Sequence, residues 1–283
     1  MSRREPPSET GYCSQMDDCV WPALAGARLP AEDEVLLLSA SIDLPEERLA
    51  ELRATFSPKE LERADRFATD ELRNRWTAGR GLLRELLAAA LGADARAIRF
   101  RYGPHGKPEL EPASAPPLEG KALSFNVSHS RGRGLFALGR GREVGVDLEE
   151  MRERRSDSVA DRFYAPSESA ALRAIADDDD RRRAFFFIWS GKEAFIKATG
   201  AGLSQSLSSF TFALARIAPP PGGEGESLLA PVSVLEHRGD PAAPTRWSVH
   251  PLAPARGFSG ALVAEGRPRA LLLRSWDART ALR

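Results

Sequence analysis

Apolar residues recur at three- and four-residue intervals through Leu72, Trp76, Gly79, Leu83, Leu86, Leu87, Ala90 and Leu91, while shorter runs on both sides alternate at every second residue. The first spacing gathers side chains on one face of a helix, and the second puts alternate side chains on one face of a strand. A chain carrying both must bury helix stripes against sheet faces. Gly92 ends the central helix, and Arg73, Arg75, Arg80 and Arg84 ride on it. Strand-like runs fall at 35–40, 98–102, 123–127, 134–138 and 144–149, and again at 210–214, 232–236, 247–250, 259–263 and 270–273. Further helices are expected from Pro45 onward, over 166–176 and over 181–199. Strands and helices mix in both halves, so the fold class is α+β.

Between these segments the chain is rich in turn formers, as in Gly103 to Pro108 and Pro112 to Gly120. Pro219 to Glu226 is low in complexity and is expected to be a solvent loop. Residues 1–32 lack periodicity and are expected to form a flexible arm, with Cys13 and Cys19 as free thiols upon it. Asp177 to Asp180, followed by Arg181 to Arg183, suits a helix start whose acids complement the dipole and whose arginines form a solvated face. The 40 Lys and Arg residues balance 40 Asp and Glu. Zero net charge argues against a nucleic-acid partner, and an anionic ligand must be met by a local cluster. The longest apolar runs, such as Ala184 to Trp189, are far shorter than the roughly 20 residues of a membrane helix. No apolar stretch follows Met1, so a cytoplasmic site without a membrane partner is the expectation.

Three segments carry groups able to do chemistry. In Val144-Gly145-Val146-Asp147-Leu148-Glu149 the strand period puts Val144, Val146 and Leu148 on one face and Asp147 with Glu149 on the other. Two carboxylates sharing a face either meet solvent or converge on a cation that offsets their repulsion. In Trp189-Ser190-Gly191-Lys192-Glu193-Ala194-Phe195-Ile196-Lys197, Glu193 and Lys197 are four apart on one helix face. That spacing makes either a surface ion pair or, in so apolar a helix, a buried pair that needs a partner. Three carboxylates and an amine then suit the all-oxygen shell of magnesium, which phosphate oxygens commonly complete. Phe125-Asn126-Val127-Ser128-His129-Ser130 runs from a strand into a polar turn. Adjacent Ser128 and His129 diverge, which fits hydrogen bonds to a phosphate better than a nucleophile and its base. His105, His237 and His250 show no ligand-like spacing, and Gly200 to Leu203 reads as a helix cap and not a phosphate loop.

Taken in order, these segments resemble the Sfp-type 4′-phosphopantetheinyl transferases over about Phe56 to Phe212. Arg75 with Trp76-Thr77-Ala78-Gly79-Arg80 is similar to the family's arginine-bearing helix, and Gly106-Lys107-Pro108 to its adenine-side loop. The Phe125 to Ser130 segment is similar to its phosphate turn, Val144 to Glu149 to its metal strand, and Trp189 to Lys197 to its signature helix. Trp76 stands where relatives often carry a small or hydroxylated residue.

The resemblance implies a pseudo-dimer of two α+β halves with the active site in the cleft between them. The divisions would be 1–32, 33–140 and 141–283, the last carrying the metal site. It implies transfer of the phosphopantetheine arm of coenzyme A to a serine of an acyl or peptidyl carrier protein by a monomer. Asp147, Glu149 and Glu193 would hold Mg2+, with Mn2+ as a substitute, and Asp147, Glu193 and Lys197 would be catalytic. Lys197 would meet the pyrophosphate, and Glu193 would act as general base. Arg75, Arg80, Arg63 and His129 would grip the 3′-phosphate, with Ser128 at the phosphate turn and Lys107 and Pro108 beside the nucleotide. The alternatives are a non-catalytic module that binds coenzyme A or a carrier, and another magnesium-dependent nucleotide phosphotransferase.

Overall fold

The computed structural model describes residues 21–24, 26–114, 121–152, 156–212 and 232–282. Cys13, Cys19, most of the N-terminal arm and the loop at Pro219 to Glu226 lie outside them. In chain order the elements are β1 (Glu34–Ser41), α1 (Glu46–Arg53), α2 (Pro58–Asp65), α3 (Asp70–Leu91), β2 (Phe100–Tyr102), β3 (Pro108–Leu110), β4 (Leu123–Ser130), β5 (Arg133–Arg140) and β6 (Val144–Glu150). Then come α4 (Ser156–Phe163), α5 (Pro166–Arg173), α6 (Asp178–Thr199), β7 (Phe210–Phe212), β8 (Val232–His237), α7 (Ala243–Arg246), β9 (Trp247–Leu252), β10 (Phe258–Glu265) and β11 (Ala270–Trp276).

Two larger sheets form, in the orders β11-β1-β5-β4 and β6-β10-β9-β8-β7, beside a small β2-β3 hairpin. The strand period explains the layers. Leu36, Leu38 and Ala40 of β1 pack with Ala78, Leu82 and Leu86 of α3, whereas Val35 and Leu37 face Val146, Leu148 and Leu262 of the second sheet. On the far side, Phe185, Ile188 and Phe195 of α6 cover Val249, Ala261 and Val263. The order is therefore helix, sheet, sheet, helix, with one apolar core in each gap. The α+β class is as expected.

Thr69 caps α3 by accepting from the Leu72 backbone N–H, and Gly92 closes it in the left-handed region at φ 63°. The expected stripe is buried from Gly79 to Leu91 but not at its start. Leu72 is 52% exposed, and the fully buried line runs through Ala78, Leu82 and Leu86. Arg84, one of the four arginines on this helix, is 1% exposed. Its guanidinium donates to Glu60 at 2.8 Å and to the Ile98 carbonyl at 2.8 Å, which offsets the cost of burial. The acids of 177–180 stand at the start of α6, as expected; in addition Asp177 caps the Asp180 N–H at 2.8 Å, and Arg181, Arg182 and Arg183 each pair with an aspartate three residues earlier.

Two segments reach across the expected divisions. The last strand, placed by sequence in the 141–283 half, pairs in parallel with β1 from Glu34↔Ala270 to Ala40↔Trp276 and so belongs to the first sheet. Within the expected arm, Trp21 is 3% exposed, and the Leu24 N–H donates to the Ser275 carbonyl at 2.8 Å. An indole of that size buried between the sheets holds this stretch in place. No helix among the described residues is long and apolar enough to cross a membrane.

His250 of β9 is buried, and its pKa falls to about 4, first through burial and then through Arg267 and Arg142. The unfolded chain binds a proton near pH 6.5 that the folded chain refuses, so the stabilisation present above that pH is lost as pH falls toward 4. Between pH 7 and pH 5 the wild type should lose about 2 kcal/mol more stability than His250→Gln, measured from urea midpoints. Equal losses in the two proteins would show that His250 does not set the acid limb.

Candidate active site

The site forms where β6 lies beneath α6. Val144, Val146 and Leu148 face the inter-sheet core, which leaves Gly145, Asp147 and Glu149 toward the helix. A Cβ on Gly145 would lie 2.2 Å from the Ala194 carbonyl oxygen and 2.4 Å from the Ala198 nitrogen, so this contact requires glycine. The close approach buries Asp147 to 5% exposure under the last turns of α6. Asp147 Oδ1 accepts from Lys197 Nζ at 2.6 Å and from Ser128 Oγ at 2.9 Å, and Lys197 Nζ also reaches Ser128 Oγ at 3.0 Å. The sequence left open an ion pair between Lys197 and Glu193. The amine turns to β6 instead, because that carboxylate is the more buried and the more in need of a partner.

Glu193 is half-buried beside this pair. Burial first, then the Asp147 charge, raises its pKa, with Lys197 opposing. Glu149 Oε1 accepts from the Trp189 indole N–H at 3.1 Å. A polar strand holds the assembly in register. Asn126 Oδ1 accepts from the Val146 N–H at 3.0 Å, Ser130 Oγ from the Glu150 N–H at 3.1 Å and Ser124 Oγ from the Val144 N–H at 3.4 Å. Alternate side chains of β4 thus satisfy the free amides of the β6 edge, joining the two sheets beside Asp147.

The expected trio of metal ligands is only partly assembled. Among the described residues, no three His, Cys, Asp or Glu side chains are gathered closely enough to hold a metal ion. Three carboxylates repel one another, and Asp147 and Glu149 have turned to Lys197, Ser128 and Trp189. The donor chemistry nonetheless fits a hard divalent cation. Asp147 Oδ2 is buried and accepts no hydrogen bond among the described residues, and the raised pKa of Glu193 marks a place where added positive charge is favourable.

His129, next along β4, points the other way, into a cleft of about 520 Å³ lined by Phe67, Leu72, Arg75, Trp76, Arg131 and Arg152 among others. The cleft walls shield the ring in part, and the Lys197 and Arg75 charges add to that, so its pKa is lowered although it still reaches solvent. Arg75 is already engaged. Its Nε donates to Asp43 Oδ1 at 2.8 Å, and Nη1 pairs with Glu71.

The other expected nucleotide contacts are elsewhere. Arg80 lies over the Phe100 ring at 4.6 Å and donates to the Tyr102 hydroxyl at 3.1 Å, and Arg63 lines a larger cavity of about 1040 Å³ between α2 and β2. Arg80 does not line the His129 cleft itself, although its guanidinium also lies 5.8 Å from the centre of the Trp76 ring, which does. Lys107 donates to Glu143 Oε2 at 2.7 Å and to the Ala198 carbonyl at 2.9 Å, at the far end of β6 from Glu149, with Pro108 opening β3 beside it.

Several residues of the site escaped sequence reading. Asn126, Ser124 and Ser130 show only as polar alternation. Lys192, 0% exposed, pairs with the equally buried Glu168 at 2.8 Å and donates to the Leu207 and Phe210 carbonyls, anchoring α6 from behind. Its signal was a lysine inside an apolar helix.

Comparison of the sequence with known proteins points to one family. Residues 143–256 match the family model described as the 4′-phosphopantetheinyl transferase superfamily, and residues 45–137 match one described as 4′-phosphopantetheinyl transferase, N-terminal. The chain is 41% identical over 174 residues to the 4′-phosphopantetheinyl transferase HetI of a Nostoc species, an alignment covering 61% of this chain and 71% of that one. It is 33% identical over 171 residues to the 4′-phosphopantetheinyl transferase Sfp of Bacillus subtilis, covering 60% and 72%. With the human L-aminoadipate-semialdehyde dehydrogenase-phosphopantetheinyl transferase it shares 28% identity over 205 residues, covering 70% of this chain and 61% of the relative.

Proposed function

The chain belongs to the 4′-phosphopantetheinyl transferase superfamily, and we propose that it moves the 4′-phosphopantetheine group of coenzyme A onto a serine hydroxyl of an acyl or peptidyl carrier protein. The observation that carries this reading is the contact of Lys197, Asp147 and Ser128 beneath α6, with Glu193 beside it. The carrier serine oxygen forms a bond to the β-phosphorus, the bond from that phosphorus to the adenosine side breaks, and adenosine 3′,5′-bisphosphate leaves.

The chain's own residues divide the work. Glu193 takes the serine proton, since a carboxylate of raised pKa is a better base than an ordinary one. Lys197, tied to Asp147 and Ser128, presents an ammonium to the pyrophosphate and meets the charge that grows on the departing group. Asp147 Oδ2, Glu149 and Glu193 are the groups that would hold Mg2+ or Mn2+. Such an ion, when bound, supplies charge neutralisation at the pyrophosphate. Arg75 and His129 face the cleft that takes the 3′-phosphate, where Arg75 exchanges Asp43 and Glu71 for the ligand. Lys107 and Pro108 flank the nucleotide. In this reading the enzyme acts in the cytoplasm as a monomer, because both sheets and the seam between them come from one chain.

Release of adenosine 3′,5′-bisphosphate tests the reading. It should require coenzyme A, a divalent cation and an apo carrier together. Coenzyme A binding without release in the presence of any carrier would reduce the protein to a binding module. Lys197→Ala should lower kcat about 100-fold while raising the KM for coenzyme A much less, since its charge acts on the transition state. Because Lys197 holds the Glu193 pKa down, the acid limb of the pH–rate profile should also move to higher pH. An unchanged kcat would leave Lys197 with a purely structural role.

A further inference from the structure

The loop joining β4 to β5 is two residues long, Arg131 and Gly132. Arg131 has φ 52° and is the one non-glycine residue with positive φ among the described residues. An L side chain is strained there, and glycine would relieve it. Glycine occupies the neighbouring position for another reason: a Cβ on Gly132 would lie 2.0 Å from Asp43 Oδ2. The turn is held from both sides, by the Glu150 N–H donating to Ser130 Oγ at 3.1 Å and the Ile42 N–H donating to the Gly132 carbonyl at 2.8 Å. Strain held in place by its surroundings is a mark of a side chain in use.

Arg131 lines the cleft together with Arg75, His129 and Arg152. The charges around that cleft are uneven. Arg75 has two carboxylates, Asp43 and Glu71, on its one guanidinium. At the β4–β5 turn Arg131 donates from Nε to Glu150 Oε2 at 3.2 Å, and Arg152 pairs with that same carboxylate. Among the described residues Arg131 and Arg152 therefore share the Glu150 carboxylate, whereas Arg75 has two acids of its own, one of which, Asp43, also packs against Gly132 of this turn. His129 extends into the same space from the strand that carries Ser128 on its other face, so an anion bound here is distinct from one bound at Lys197.

We propose that Arg131, supported by Arg152, is a further binding residue for the 3′-phosphate of coenzyme A, its side chain retained at the cost of a strained turn. This rests on the transferase reading. A dianionic phosphate fits two arginines with one carboxylate between them, and it would draw Glu150 away from neither completely.

The test compares coenzyme A with 3′-dephospho-coenzyme A by calorimetry on the full chain, using wild type, Arg131→Gly, Arg131→Asn and Arg131→Lys. Glycine and asparagine accept the left-handed conformation, so both variants should melt at or above the wild-type temperature. Both should nonetheless bind coenzyme A about tenfold more weakly at low salt, the effect of one half-exposed charge-assisted contact. Binding of 3′-dephospho-coenzyme A should be unchanged, and Arg131→Lys should keep most of the preference. If wild type prefers coenzyme A and Arg131→Gly keeps that preference in full, or if the variant loses both ligands equally, the role of Arg131 is overturned and the transferase reading stands. If wild type binds neither ligand, both fall.

Discussion

Replacing Asp147 by asparagine is expected to reduce carrier modification about 10³-fold while leaving the protein folded. The amide oxygen can still accept from Lys197 Nζ and Ser128 Oγ, so the contacts that position α6 over β6 survive. What disappears is the charge, and with it the buried, unpartnered Oδ2 that would serve a cation. Lys197, 30% exposed at its side chain, loses its ion pair but can turn toward Glu193 four residues earlier, so the stability cost should be only about 1–2 kcal/mol. Relief of the Asp147 charge should also let the Glu193 pKa fall, which carboxyl NMR can follow. Near-normal turnover in a folded Asp147→Asn protein would move the chemistry away from β6.

A second large effect is expected from one methyl group. In Gly145→Ala the new Cβ meets backbone atoms in the last turns of α6, the Ala194 oxygen at 2.2 Å and the Ala198 nitrogen at 2.4 Å, and helical backbone cannot step aside as a side-chain tip can. The helix must lift from the strand, and overpacking of this kind costs about 3 kcal/mol. Because Glu193 and Lys197 ride on that helix, activity should fall further than the loss of folded protein explains. Gly79→Ala is the control. Nothing lies within 4 Å of its Cβ position, and alanine in the middle of α3 should stabilise by about 1 kcal/mol. Urea midpoints of the two variants should move in opposite directions. A Gly145→Ala protein as stable and active as wild type would mean that α6 does not rest on β6 as described.

How much of this was legible beforehand follows from the range of each interaction. The alternation in Val144 to Glu149 is local, and it correctly divides core-facing from helix-facing residues. The caps at Gly92 and Gly200 are equally local and were read correctly. Partners distant in sequence were not. Lys197 sits four residues from Glu193, but its acid is Asp147, fifty positions away on another element. Nothing near Arg84 in sequence shows that α2 brings Glu60 against it. The return of β11 to β1 also has no local signature, since a parallel partner is chosen by what the intervening chain permits. The polar alternation of Ser124, Asn126, Ser128 and Ser130 was visible, yet its meaning depends on the unpaired edge of β6.

The central claim is a covalent transfer, and the mass of the acceptor measures it directly. The full chain is incubated with coenzyme A, Mg2+ and a panel of apo acyl and peptidyl carrier proteins, and each carrier is weighed intact. The expected result is that at least one carrier gains the mass of a single phosphopantetheine group on its serine, with no gain when Mg2+ is chelated or when Asp147→Asn replaces the wild type. No gain on any carrier by a folded protein that binds coenzyme A would contradict the claim, and so would an equal gain from wild type and Asp147→Asn.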